Sequence, residues 1–325
     1  MFMNRTLGRS GLLVSPHGLG TMTWGRETDV HEARELLEVF LAAGGNYLDT
    51  APFFGEGRSE AIAAQALKQA DRSSVVVASH GGRRPKADRP IDSSRSFLLP
   101  ALDATLKALE LEYLDVWFID RFDPLTPVEE LLLTMDIAVR SGRTRYVGVG
   151  NYSGWQLAQI ASLAGDSIPL VASSMEYSLV QRGIEREHLD AAIQRGVAVV
   201  PWSPLGRGVL TGKYRNGVPA DSRGASPVWG RWLHEHLSAD ARRVVEAVAM
   251  AASGLGLAPI DVALAWSRAR TGTVAALLGP RTVGQLRAAL ANVDLVLPQE
   301  IAVALDEVSA LQWQYPDPGP RDFRA

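Results

Sequence analysis

Residues 114–150, LDVWFIDRFDPLTPVEELLLTMDIAVRSGRTRYVGVG, hold one strand–helix–strand unit and decide the fold. Leu114–Asp120 is a short apolar and aromatic run of the kind that forms a buried strand. Val128–Arg140 follows with apolar residues on one helical face. Thr126-Pro127 reads as an N-cap with proline at the first helical position, and Glu129 and Glu130 suit the positive end of the helix dipole. Gly142 stops the helix, and Arg145–Gly150 is the next strand. Two buried strands joined through a helix must lie parallel.

The same alternation runs outward in both directions. Further strands are expected at His17–Gly20, Tyr47–Asp49, Ser74–Ser79, Leu170–Ser174, Val197–Trp202 and Val274–Leu278. Helices are expected at His31–Ala43, which Gly44-Gly45 would stop, at Phe97–Leu109 and at Trp155–Leu163. Eight strand–helix units close into a barrel, whereas six would suggest an open sheet. The expectation is therefore an α/β chain forming a single (β/α)8 TIM barrel domain over residues 1–325. The opening RTLGRSGLLVS reads as an N-terminal β-hairpin turning at Gly8–Gly11 that plugs the barrel bottom. After strand seven, residues 206–236 form a connection far longer than usual, and such loops are functional or disordered. The tail WQYPDPGPRDFRA is expected to fray.

The chain has 325 residues, 46% hydrophobic and 21% charged, which excludes disorder, and no cysteine, which excludes a disulfide scaffold. Its net charge of −3 gives no reason to expect nucleic acid. The most apolar stretch, 244–266, is interrupted by Glu246, Pro259 and Asp261, so no membrane span is expected. The N-terminus lacks the plan of a signal peptide, and the cytoplasm is the expected location.

Generic motifs fail. GLGTMT has two glycines and then Thr23, so it is not a dinucleotide fingerprint. TGKY lacks the upstream glycine of a phosphate loop, because Arg207 stands there. His234 and His236 have no clear third ligand, and no metal is expected. In a parallel barrel the active site gathers where strands end. The residues at those ends are Asp49, Phe54, Ser79-His80, Asp120-Arg121, Gly150-Asn151, Ser174 and Trp202-Ser203.

Six stretches, in order, carry a resemblance: RTLGRSGLLVSPHGLGTMTWG (5–25), AGGNYLDTAPFFGEGRSE (43–60), EYLDVWFIDRFDPLTPVEE (112–130), RYVGVGNYSG (145–154), VVPWSPLGRGVLTGKY (199–214) and LLGPRTVGQL (277–286). Together they resemble the aldo-keto reductase family over about residues 4–311. The resemblance implies a barrel that binds NADP(H), NADPH in preference to NADH, in extended form. It places the cofactor on Gly20, Thr21, Asp49, Asn151, Ser174, Trp202, Ser203, Leu205, Gly208, Gly279, Arg281 and Gln285. Residue chemistry supports this. The Trp202 indole offers a flat apolar face to a nicotinamide, and Asn151 has the donor and acceptor a carboxamide needs. Arg281 suits a 2′-phosphate. Gly150, Ser174 and Ala289 depart from the family's serine, glutamine and asparagine. Each loses a hydrogen bond of roughly 0.5–1.5 kcal/mol.

The family's catalytic tetrad of Asp, Tyr, Lys and His is degenerate. Asp49 remains, while Phe54, His80 and Asp120 stand at the tyrosine, lysine and histidine positions. Phe54 has no proton to give, which removes a contribution of ~10²–10⁴-fold. Asp49, His80 and Asp120 are expected to point into one cavity, with His80 and Asp120 as an acid/base pair or as a buried ion pair left where the tetrad decayed. Trp24, Phe53, Phe54, Trp229 and Trp232 are expected to wall the substrate pocket. Three readings stay open for a small-molecule site. One is an oxidoreductase acting on an activated carbonyl, enone or iminium. The second is a redox-neutral lyase, isomerase or cyclase. The third is a non-catalytic nucleotide-binding or regulatory protein. Oligomeric state is left open.

Overall fold

The computed structural model describes residues 3–324 except 221, 227–229, 316, 318 and 320, and the side chains of Arg223 and Arg231 lie outside the description. A two-stranded antiparallel hairpin, β1 (Arg5–Thr6) and β2 (Leu13–Val14), comes first. Eight parallel strands follow: β3 (His17–Gly20), β4 (Tyr47–Thr50), β5 (Val76–Gly81), β6 (Leu114–Asp120), β7 (Thr144–Gly150), β8 (Leu170–Glu176), β9 (Ala198–Trp202) and β10 (Ala276–Leu278). They close into a barrel in chain order, with β10 pairing back onto β3. The helices are α1 (Val30–Ala42), α2 (Arg58–Leu67), α3 (Arg95–Leu109), α4 (Val128–Arg140), α5 (Gly154–Ala164), α6 (His188–Arg195), α7 (Gly230–His234), α8 (Ala239–Leu255), α9 (Pro259–Arg268), α10 (Val283–Leu290) and α11 (Gln299–Val308). This is the (β/α)8 TIM barrel with its N-terminal hairpin.

Strand periodicity explains how the barrel aims its functional groups. Side chains alternate between the two faces of a strand. Tyr47, Val76, Ala78, Val116, Phe118, Ala172, Ala198 and Val200 fill the barrel interior. The next residues in the same phase are Asp49, His80, Asp120, Ser174 and Trp202, at or near the ends of their strands. The opposite phase, including Val77, Trp117, Ile119, Val147 and Val199, packs against the helices. The bottom is closed by Leu7 and Val14 of the hairpin, both fully buried in the interior cluster. Gly8 turns with φ +57, and a Cβ there would meet the Val171 carbonyl.

Several expected boundaries shift. The fifth strand starts at Val76 rather than Ser74, because residues 72–74 form a short 3-10 turn capped by Asp71. Strands β8 and β10 end and begin two residues later than expected, at Glu176 and Ala276. Thr126 is not the cap of α4. Pro127 takes that place, and the Thr126 hydroxyl donates instead to Asp123 at 2.7 Å, a charged acceptor that outcompetes the helix amides. The connection after β9 is not structureless: 3-10 turns at Gly206–Thr211, Arg223–Ala225 and Glu235–Leu237 flank α7. The tail is tied down rather than frayed over its described residues. Phe323 is buried, Arg324 lies 3.9 Å from Asp306, and the Thr271 amide donates to the Phe323 carbonyl. Among the described residues no single helix is long and apolar enough to cross a membrane.

Candidate active site

A cavity of about 850 Å3 opens at the C-terminal ends of the strands. One end holds Asp49, Phe53, Phe54, His80, Arg83 and Asp120. Asn151, which touches both Asp120 and Trp202, lines it with Ser174, Trp202 and Ser203, and Leu205, Gly208, Lys213, Arg281, Gln285 and Ala289 belong to the same lining. Gly20 and Gly279 also line it. The residues just past three strand ends sit in the left-handed region, Arg121 at φ +72, Asn151 at +59 and Ser203 at +54. Non-glycine residues held there store about 1–3 kcal/mol each, a cost concentrated at functional sites.

Of the expected site residues, two do not face the cavity and one cannot be placed. Trp24 is fully buried in the core between barrel and helices and forms no part of the pocket wall. Its ring is drawn there by apolar neighbours that offer more contact than an open mouth. Thr21 is buried as well, with its hydroxyl 2.7 Å from Ser59 Oγ, behind the cleft. Trp229 lies outside the described residues. Trp232 does line the cavity and stacks on Trp202, with ring centroids 6.4 Å apart.

The expected acid/base pair is rearranged. His80 Nε2 lies 3.1 Å from Asp49 Oδ2, not against Asp120, and the imidazole stacks on the Phe118 ring at 4.9 Å. Burial alone would lower the His80 pKa, but the charge and hydrogen bond of Asp49, with the Asp120 charge behind them, outweigh it and raise the pKa. Arg83 opposes this rise. Asp120 is taken by other partners. The Asn151 amide donates to its Oδ1, and Arg83 Nη1 approaches its Oδ2 at 3.5 Å. The Trp202 indole N–H donates to Asn151 Oδ1 at 3.2 Å. An indole can only donate, so it sets the amide orientation and directs the Asn151 NH2 toward Asp120. Gly150 completes the arrangement, since a Cβ at that position would come within 2.8 Å of Asp120 Oδ1.

Three charged residues escaped the sequence reading. Arg83 sits two residues past β5, with its guanidinium 4.7 Å over the Phe53 ring. Arg207 is buried and binds Glu176 through two nitrogens, at 2.8 and 2.7 Å. It also donates to the Trp232 carbonyl and to Glu235, and its guanidinium lies 4.1 Å over the Trp232 ring. His236 Nε2 reaches the same Glu176 carboxylate at 3.0 Å. This cluster fastens the long loop to the end of β8. Lys213 lines the cavity on the same wall as Gly208. Arg83 lies in none of the stretches that carry the family resemblance. Arg207 and Lys213 lie in VVPWSPLGRGVLTGKY, but there they entered only the failed phosphate-loop pattern, and no spacing assigned them a role at the site.

The residues present fit an extended, polyanionic dinucleotide. The cavity combines acidic and imidazole groups, a flat indole and the cations Lys213 and Arg281 in one lining. Gly208, at φ +101, leaves room for close backbone approach.

Comparison with known sequences follows the same geometry. The sequence model of the Aldo/keto reductase family matches residues 17–310. A probable voltage-gated potassium channel subunit beta from Oryza sativa subsp. japonica is 33% identical over 317 residues, covering 94% of this chain and 95% of the relative. A protein of the same description from Arabidopsis thaliana is 31% identical over 314 residues, covering 94% of each.

Proposed function

The chain belongs to the aldo/keto reductase family, and on that premise we propose that it is an NADP(H)-dependent oxidoreductase acting on an activated carbonyl, enone or iminium, with His80 as the acid. The observation that carries this reading is the His80–Asp49 contact in the same cavity as Asn151, Trp202 and Arg281. Asn151 and Trp202 would hold the nicotinamide end, with Lys213, Arg281 and Gln285 at the far end. Arg281 is the basis for preferring NADPH over NADH. The bound cofactor supplies the hydride.

The remaining work falls to this chain's own residues. Asp49 occupies Nε2 of the imidazole and favours its charged form, which leaves Nδ1 to hold the proton that a carbonyl or enone oxygen receives; an iminium, already cationic at nitrogen, would take the hydride without it. Stacking on Phe118 fixes the ring plane. Phe54, at the position of the family's tyrosine, contributes an apolar wall and no proton, so the substrate must already be reactive. Asp120, oriented by Asn151 and Arg83, presents a carboxylate where the family has a histidine.

The test is a titration with NADPH and NADH followed by tryptophan fluorescence, then NADPH oxidation with a panel of quinones, enones and nitroaromatic aldehydes. The reading expects NADPH binding and turnover that His80→Gln reduces about 10²-fold. Turnover unchanged in His80→Gln would remove His80 from its role.

A second reading, binding without turnover, draws on the two relatives described as probable channel subunits and on the absence of a phenol at Phe54. It expects nucleotide binding of the same strength with no NADPH oxidation across the panel.

A further inference from the structure

We propose that the substrate carries an anionic group, a carboxylate or a phosphate, received by Arg83 and Arg121 beside Asp120; this rests on the reading of the cavity as a substrate site. Both residues line the cavity, and they follow neighbouring strands. Arg83 follows β5 and touches Asp120, whereas Arg121 is the next residue in the chain after Asp120.

Neither arginine is used up by the fold. Arg83 makes a single contact to Asp120, and at 3.5 Å it is at the limit of a hydrogen bond. Its side chain is 34% exposed, and Phe53 lies under its flat face. A guanidinium held in plane by an aromatic ring, with most of its five donors unspent, is a pre-oriented fork for a two-oxygen anion. Asp120 does not need a stronger ion pair, because Asn151 already satisfies Oδ1.

Arg121 is exposed, and its side chain has no partner among the described residues. Its backbone is nonetheless held. The Arg121 amide donates to the Gly150 carbonyl at 2.7 Å, in a left-handed conformation at φ +72. A long cationic side chain on a strained, anchored residue with nothing to bind is an unspent recognition element. It also lines a neighbouring cavity of about 630 Å3, which shares Asn151, Trp202, Arg207 and Trp232 with the first. A substrate gripped at Arg121 therefore has room to extend away from His80. The other arginine common to both cavities, Arg207, is consumed by Glu176 and is not available.

Charge balance points the same way. The catalytic end holds Asp49 and Asp120 against His80, Arg83 and Arg121, which leaves one positive charge in excess when His80 is protonated. An arrangement built for a neutral aldehyde would not need two additional guanidiniums at its mouth.

The experiment measures equilibrium binding by calorimetry, independent of turnover, on the full chain with and without NADPH. The probes are benzoate, phenyl phosphate and benzyl alcohol, which share a ring suited to Phe53 and Phe54 and differ in charge. The expected result is that benzoate, phenyl phosphate or both bind at least about tenfold more tightly than benzyl alcohol. Arg83→Ala and Arg121→Ala should each remove most of that preference, with Arg83→Lys recovering part of it. Arg195→Ala, at the exposed C-terminal end of α6 and in the lining of neither cavity, should not change it. The stronger of the two anions identifies carboxylate or phosphate as the group. Equal binding of charged and neutral probes, or a preference untouched in both arginine variants, overturns the proposal. A circular dichroism melt on each variant separates lost recognition from lost folding. Anion binding that depends on the arginines without any NADPH oxidation would keep this inference and sink the oxidoreductase reading. Turnover of neutral enones with no anion preference would do the reverse.

Discussion

His80 Nε2 and Asp49 Oδ2 stand 3.1 Å apart, and both side chains are almost wholly removed from solvent. The contact joins two neighbouring strands of the barrel, so the ionisation of one imidazole is tied to the geometry of the sheet. In the folded protein the His80 pKa is raised above its ordinary value of 6.5. The contact therefore contributes stability that is fully present below about pH 6.5 and is lost as pH rises through the folded value. Urea denaturation across that range should show wild-type stability falling toward that of His80→Gln. Proton NMR of the His80 ring in Asp49→Asn should show its titration displaced to lower pH, and a titration left in place would contradict the pairing.

Phe54→Tyr restores a phenol at the wall of the cavity, beside Phe53, whose ring centroid is 5.1 Å from that of Phe54. Unactivated aldehydes such as benzaldehyde should be reduced faster by this variant, by up to about 10²-fold. The gain is held at the low end because β5 brings His80, rather than a lysine, into the cavity of the new hydroxyl. Steady-state NADPH oxidation measures it.

Arg281→Ala should weaken NADPH binding by about tenfold or more while leaving NADH nearly unaffected, since a guanidinium bound to a phosphate gains more than a neutral hydrogen bond. Equal losses for both nucleotides would place the 2′-phosphate elsewhere. Fluorescence quenching of Trp202, in the lining of the cavity, provides the readout.

Arg207→Ala leaves Glu176, whose side chain is only 12% exposed, without its bidentate partner, and only His236 remains to it. Removing one member of a buried ion pair costs about 3–5 kcal/mol. Chemical denaturation should show a loss of that order, together with a red shift in tryptophan emission as Trp232 loses its contact. The double variant Arg207→Met with Glu176→Leu should recover part of the stability, because neither charge is then left unpaired.

Gly150→Ser tests the fit between Gly150 and Asp120. An added Cβ would come within 2.8 Å of Asp120 Oδ1, so the carboxylate must swing away from Asn151. Turnover should fall while the barrel stays folded, checked by comparing kcat with the thermal midpoint. A variant with wild-type kcat would show that the orientation of Asp120 is unimportant.

The barrel itself was legible from its amino acids. A period of two in the strands and 3.6 in the helices is a local property, as are glycine stops and acidic first turns. The strand phase alone carried Asp49, His80, Asp120 and Trp202 to the same end of the same interior, since each lies in step with apolar residues that must face inward. The helix α4 was legible to the residue, although its cap was not, because Thr126 has a competing acceptor in Asp123.

Partnership was decided only in three dimensions. His80 was expected against Asp120 and lies against Asp49. Asp120 was claimed by Asn151 and Arg83, whose orientation in turn depends on the Trp202 indole and the Phe53 ring. Trp24 shares a quoted stretch with Gly20 of the cavity wall yet is buried in the core, while Arg207 closes over Glu176, a partner 31 residues away in the chain that no local spacing records. The physical reason is one of range. Secondary structure and facing follow from interactions within a few residues, which spacing records. Ion pairs and hydrogen bonds are settled by competition among all groups within about 3–4 Å, and that set is assembled from distant parts of the chain only when the barrel closes.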